Sequence, residues 1–271
     1  MRKSIVVLSG FILMMFFACT TNPFTGKSQF NVVSNDQIFP ASFQQYDAFI
    51  KENKVITGTA EAKMVTTVGQ KIRAAAEKYL NANGYQGYLK DYQWEYHLVQ
   101  DPSLNAWCMP GGKIVVYSGI LPVTKTEAGL ATVMGHEVSH ALLNHGGQRM
   151  TASQAQQVGA VLLGAATTQE SEAAQQIYMQ AYGVGSNVLG MLPFSRSHET
   201  EADKYGLILM AIAGYNPDEA ISFWQRMSAQ GAGGTPELLS THPSDATRIA
   251  NLQKMIPEAK AEAAKFGVTF K

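Results

Sequence analysis

Hydrophobic positions recur at helical spacing over residues 35–80, where Val65, Val68, Ile72 and Ala75 share one face until Asn81, Asn83 and Gly84 break the pattern. Over residues 93–99 the period changes. Trp94, Tyr96 and Leu98 alternate with Gln93, Glu95 and His97, which predicts a half-buried strand. Residues 106–109 and 113–118 flank the turn Pro110-Gly111-Gly112 and predict a hairpin, so the sheet is small. Thr124-Lys125-Thr126-Glu127 fits a capping box and opens a helix expected to reach Asn144 or His145 and to stop at Gly146-Gly147. Residues 150–193 are rich in Ala, Gly and Gln, and Gly159, Gly164, Gly183, Gly185 and Gly190 interrupt two helical stretches. They read as a helical insertion, either a mobile lid or two helices packed closely through small residues. Asn216, Pro217 and Asp218-Glu219 start another helix, and a last one follows the loop that carries His242. The fold class expected is α+β and predominantly helical.

The first residues follow a different pattern. Arg2 and Lys3 precede an apolar stretch over residues 5–17, shorter than the ~20 residues a membrane-spanning helix needs, and Ala18-Cys19 closes it. Residues 1–18 read as an export leader. The Ala-Cys junction resembles a bacterial lipobox, so Cys19 is expected to be lipidated and to anchor the mature chain to a membrane. An ordinary secretory signal that ends in Cys is the alternative. Residues 19–28 are polar and turn-forming, a lipidated tether, and residues 29–271 form the folded body. With Cys19 acylated, Cys108 has no partner for a disulfide and reads as a core or edge-strand thiol. Twenty-one basic residues balance 21 acidic ones, which gives no field for nucleic acid, and 46% hydrophobic residues suffice for one core.

His136-Glu137-Val138-Ser139-His140 carries the candidate chemistry. Two imidazoles four apart on a helix project from one face and can hold one metal ion, with the intervening Glu beside it. A catalytic zinc takes three protein ligands and keeps a position for water. The third ligand is sought in His198-Glu199-Thr200-Glu201-Ala202-Asp203. Glu199 and Asp203 share a helical face, so Glu199 is the expected ligand and Asp203 the carboxylate that orients a ligand histidine, with Glu201 the fallback. One Zn2+ per chain is expected.

The H-E-x-x-H at 136–140, the E-x-x-A-D of Glu199 to Asp203, the Asn105-Ala106…Pro110-Gly111-Gly112 segment and His242-Pro243…Arg248-Ile249 resemble the gluzincin peptidases related to the CaaX prenyl protease and HtpX. Within them the leader points to a periplasmic lipoprotein branch similar to the outer-membrane assembly-enhancing protease. The resemblance implies a zincin-like catalytic domain and an endopeptidase with Glu137 as general base. It also implies that the strand with Asn105 and Ala106 lies at the cleft edge to hold an extended substrate. The same resemblance implies that His242 is brought to the zinc, where an imidazole either donates to the developing oxyanion alongside Arg248 or occupies the open zinc position as a gate. A loop histidine without metal contact is the plain alternative. Expected substrates are misfolded or stalled envelope proteins, and the expected place is a bacterial outer membrane, facing the periplasm. A chaperone or adaptor lipoprotein with a structural zinc, or a zinc carrier, are the rival functions; neither has a use for Glu137.

Overall fold

The computed structural model describes residues 19–30, 32–230, 237–242 and 246–270. The leader over residues 1–18 and Pro243 lie outside them. The chain forms two compact units, one of Met1–Ile38 with Asn144–Ser197, the other of Phe39–Leu143 with His198–Lys271.

The first unit opens with β1 (Cys19–Thr21) and β2 (Ser28–Phe30), an antiparallel pair over part of the segment expected as a tether. The Asn22 side chain closes the turn between them, its Oδ1 accepting from the Phe24 and Thr25 amides at 2.9 and 3.2 Å.

The second unit begins within α1 (Asn35–Glu52). The helical pattern over residues 35–80 is interrupted by β3 (Val55–Ile56) before α2 (Ala60–Ala82), because Gly58 takes a positive φ of 76° and Thr59 caps the new helix through its hydroxyl. Val65, Val68, Ile72 and Ala75 are all buried on α2, as their spacing predicts. Three further strands follow, β4 (Glu95–Val99), β5 (Ala106–Met109) and β6 (Lys113–Tyr117). The sheet order is β3-β4-β6-β5. The expected hairpin forms as the antiparallel β5/β6 pair, whereas β4 and β6 pair in parallel. Ile114, Val115 and Val116 of central β6 are fully buried, and β5 is an edge.

A short α3 (Leu121–Thr124) leads into α4 (Glu127–Leu142), which packs against β5 and α2. The capping box is displaced by two residues. Thr126, not Thr124, caps α4 by accepting from the Gly129 amide at 3.1 Å, because the Thr124 hydroxyl is committed to the Leu121 carbonyl and Lys125 turns the chain at φ 62°. Helix α4 also ends before Gly146-Gly147. Asn144 takes a left-handed φ of 55° and caps the next helix through its own side chain, so both glycines lie inside α5 (His145–Ala166).

Helix α5 and α6 (Glu172–Ser186) belong to the first unit and cover the expected insertion. Helix α7 (Leu192–Ile212) crosses into the second unit, which closes with α8 (Glu219–Ala229), α9 (Glu237–Thr241) and α10 (Ala246–Ala264). Helix α8 starts beyond the expected Pro217, since Asn216 spends its side chain on the Asp218 amide in a turn.

Candidate metal centre

Every residue of α4 from Gly129 to His140 is buried, so the H-E-x-x-H segment lies in the core of the second unit. Helix α7 reaches it by direct backbone approach. A Cβ at Gly135 would stand 2.9 Å from the Gly206 carbonyl oxygen, and one at Gly206 2.9 Å from the His136 amide nitrogen, so the crossing requires glycine on both helices. This crossing sets Glu199 and Asp203 against the two histidines.

Four side chains converge. One ligand atom from each of His136, His140, Glu199 and His242 lies within 4.8 Å of all the others. His136 Nε2 is 3.1 Å from His140 Nε2 and 3.4 Å from Glu199 Oε2, and His140 Nε2 is 3.3 Å from Glu199 Oε1. Tetrahedral zinc with bonds of about 2.0–2.1 Å has ligand-to-ligand edges of about 3.3–3.4 Å. His242 supplies a fourth corner, its Nδ1 2.8 Å from Glu199 Oε2 and 3.2 Å from His136 Nε2. Glu201 and Cys108 are outside the cluster.

Two buried carboxylate oxygens among these residues, Glu199 Oε1 and Glu137 Oε1, accept no hydrogen bond from the described residues. An unsatisfied buried oxygen is destabilising unless a cation or a donor meets it. Glu199 Oε1 faces the imidazoles, as a metal ligand would, and Glu137 Oε1 lies 3.5 Å from His242 Nε2, as a base for water would. The donor set therefore fits zinc.

Behind His136 lies a support that spacing predicted only in part. Asp203 Oδ1 is 2.9 Å from His136 Nδ1, which leaves Nε2 to face the cluster. Arg248 grips Asp203 with two nitrogens, at 2.8 Å to Oδ2 and 2.6 Å to Oδ1. The guanidinium, 3.2 Å from His136 Nδ1, stacks on Trp224 with its carbon 3.6 Å from the ring centroid. Arg248, expected beside the oxyanion, is thus engaged with Asp203 at the rear of His136. Trp224 went unnoticed in the sequence; an aromatic on an amphipathic helix gives no sign that it backs a ligand.

Electrostatics follow from this packing. Burial lowers the His136 pKa, but hydrogen bonds to Asp203 and Glu199 outweigh it and hold it at about 9. Burial holds His140 well below its usual range. Glu199 and Asp203 are raised by burial, yet the imidazoles on Glu199, and Arg248 with His136 on Asp203, bring both below the ordinary carboxylate range. A raised His136 means that its stabilisation of the metal-free fold is full below its ordinary value of about 6.5 and is lost as pH rises through about 9. Zinc must displace that proton. Zinc affinity of the stripped chain is expected to tighten about tenfold per pH unit between pH 7 and 8.5, measured by competition with a chromophoric chelator. A flat profile would remove His136 as the proton-releasing ligand.

The expected substrate strand is β5. Tyr117 donates its amide to the Asn105 carbonyl at 3.0 Å, and the alternation of an antiparallel ladder then points the backbone groups of Ala106 and Cys108 off the sheet edge. Asn105 Oδ1 already accepts the Ala106 amide at 2.9 Å. Among the described residues, the Ala106 carbonyl and both backbone groups of Cys108 have no backbone partner.

A family model described as Peptidase family M48 matches residues 69–256, more than half of the chain. The chain belongs to peptidase family M48. The class expected for it, a metallopeptidase, is that of the family, and its fold is the zincin-like M48 domain, predominantly helical with a small mixed sheet. Among M48 relatives, the Mitochondrial metalloendopeptidase OMA1 of Schizosaccharomyces pombe is 37% identical over 176 residues, 64% of this chain and 50% of the relative. Metalloendopeptidase OMA1, mitochondrial, of Homo sapiens is 28% identical over 257 residues, 92% of this chain and 48% of the relative. The Beta-barrel assembly-enhancing protease of Yersinia pestis is 29% identical over 184 residues, 62% of this chain and 37% of the relative. The chain thus spans about half the length, or less, of the curated relatives it matches. These matches correct the expected location in a bacterial outer membrane. The fungal protease has the higher identity and the human one the wider coverage, and both are mitochondrial; the assembly-enhancing protease matches a smaller part of the chain.

Proposed function

We propose that the chain is a zinc-dependent endopeptidase that cleaves misfolded or stalled polypeptides, held in extended form on the edge of β5. The observation that carries this reading is Glu137, 5% exposed, whose Oε1 accepts no hydrogen bond from the described residues and lies beside four converging side chains. His136, His140 and Glu199 would hold the metal. Bound zinc supplies a Lewis acid that polarises the scissile carbonyl and acidifies the attacking water. Glu137 takes a proton from that water as it adds to the carbonyl carbon and passes it to the leaving amine as the carbon–nitrogen bond breaks. Asp203, gripped by Arg248, keeps the His136 ring in its orientation. Main-chain pairing with β5 recognises backbone and gives loose sequence selectivity, which suits unfolded substrates.

A structural or carrier zinc site would leave Glu137 as a buried carboxylate with no duty, and burying one is costly. The purified chain is expected to carry about one zinc, to cleave casein, to stop with 1,10-phenanthroline and to recover with added zinc. Zinc-loaded chain that leaves casein intact, or cleavage that persists after metal removal, would contradict the reading.

A further inference from the structure

Ten of the eleven exposed large hydrophobic side chains among the described residues lie between Met150 and Leu192. Val161 is 70% exposed, Leu162 64% and Ile177 64%. Val158, Val161 and Leu162 fall at i, i+3 and i+4 on α5, and Ile177 and Val184 lie seven apart on α6, so each helix carries an apolar stripe. The contacts that join the two helices are of the opposite kind. Gln156 Nε2 donates to Ser186 Oγ at 2.7 Å and to Asn187 Oδ1 at 3.2 Å, and the Tyr182 hydroxyl donates to the Gln156 carbonyl at 2.9 Å. A Cβ at Gly159 would stand 2.1 Å from that hydroxyl, so the helices meet through small and polar groups.

A helix pair in water turns its apolar stripes inward. This pair is inverted, with polar ties and small residues inside and apolar side chains outside, as suits helices whose surroundings are apolar. Charge points the same way. Between residues 150 and 192 the only ionised side chains are Glu170 and Glu172, both at the turn between the helices; the remaining polar groups belong to Gln, Ser, Thr, Asn and Tyr. Arg149 and Arg196 flank this stretch, but within it the face offers a protein partner little to orient on and no cations to attract anionic headgroups. The same unit contains β1, which starts directly after the apolar stretch of residues 5–17, and β2 packs against α5. Among the described residues no helix is long and apolar enough to cross a membrane.

We propose that α5 and α6 seat their apolar stripes in the surface of a bilayer of neutral, zwitterionic phospholipid, at the depth where headgroups meet acyl chains. The docking is independent of the peptidase reading. Flotation of the full chain with phosphatidylcholine vesicles tests it, against the double variant Leu162→Glu/Ile177→Glu. The wild type is expected to float at both low and high salt, and the variant to partition about 100-fold less well with an unchanged circular-dichroism melt. Equal flotation of the variant would assign all binding to residues 1–18 and overturn the proposal. So would a wild type that needs anionic lipid, or one that self-associates through this face and ignores vesicles. Ile177→Trp provides a second reading that keeps the fold apolar at this position: its fluorescence should be quenched by brominated phosphatidylcholine, and the absence of quenching would equally overturn the docking.

Discussion

Replacing Glu137 with Gln is expected to lower casein cleavage by at least about 10³-fold while zinc content stays at about one per chain. The amide keeps the size and the buried place of the carboxylate but cannot accept the water's proton. Its position explains why metal binding should survive: Glu137 is not among the four converging side chains, and its Oε1 stands 3.5 Å from His242 Nε2. Loss of His136, His140 or Glu199 should instead reduce zinc and activity together, since each removes one of three ligands. Metal analysis beside the cleavage assay separates the two outcomes. A Glu137→Gln chain that still cleaves casein would end the general-base assignment.

His242→Arg is expected to raise cleavage about tenfold at equal zinc occupancy, self-cleavage included, if the resting chain is closed in about nine molecules of ten. The gate follows from placement. His242 Nδ1 stands 2.8 Å from Glu199 Oε2 and 3.2 Å from His136 Nε2, where, on the gating reading, it would take the position that the reacting water needs. An oxyanion donor in the same loop predicts the opposite sign, a fall of about 100-fold. An assay on purified wild type and variant reads the sign directly. An unchanged rate would leave His242 without a part in either role.

The grouping of the candidate ligands on each of α4 and α7 was legible because it is local: H-E-x-x-H and the i, i+4 relation of Glu199 and Asp203 need only the period of one helix. Long-range relations were not. The parallel pairing of β4 with β6 joins strands with a hairpin arm between them, and alternation names a face but not a neighbour. Arg248 could be attached to the site by resemblance, whereas its grip on Asp203 and its stacking on Trp224 depend on how α10 and α8 pack. Chain breaks failed for a related reason. Asn144 ends α4 by adopting a left-handed turn that glycine was expected to supply two residues later, and Thr126 outcompetes Thr124 because the latter's hydroxyl already has a local acceptor. That residues 150–193 hold two helical stretches could be read from the sequence, but a period cannot reveal which way a stripe faces.

The glycine crossing of α4 and α7 has a consequence for how such a site can be regulated. With backbone against backbone at Gly135 and Gly206, neither helix has compliant side chains through which to slide, and a one-turn ratchet of about 5.4 Å would drive the next residues of α7 into the His136 main chain. The spacing from Glu199 to the histidines is therefore insulated from sequence drift in the surrounding core and from small shear between the helices. On the gating reading of His242, the α4–α7 cradle would take no part in the change, so selection for latency could act at His242 while Glu199 and the two histidines keep their spacing.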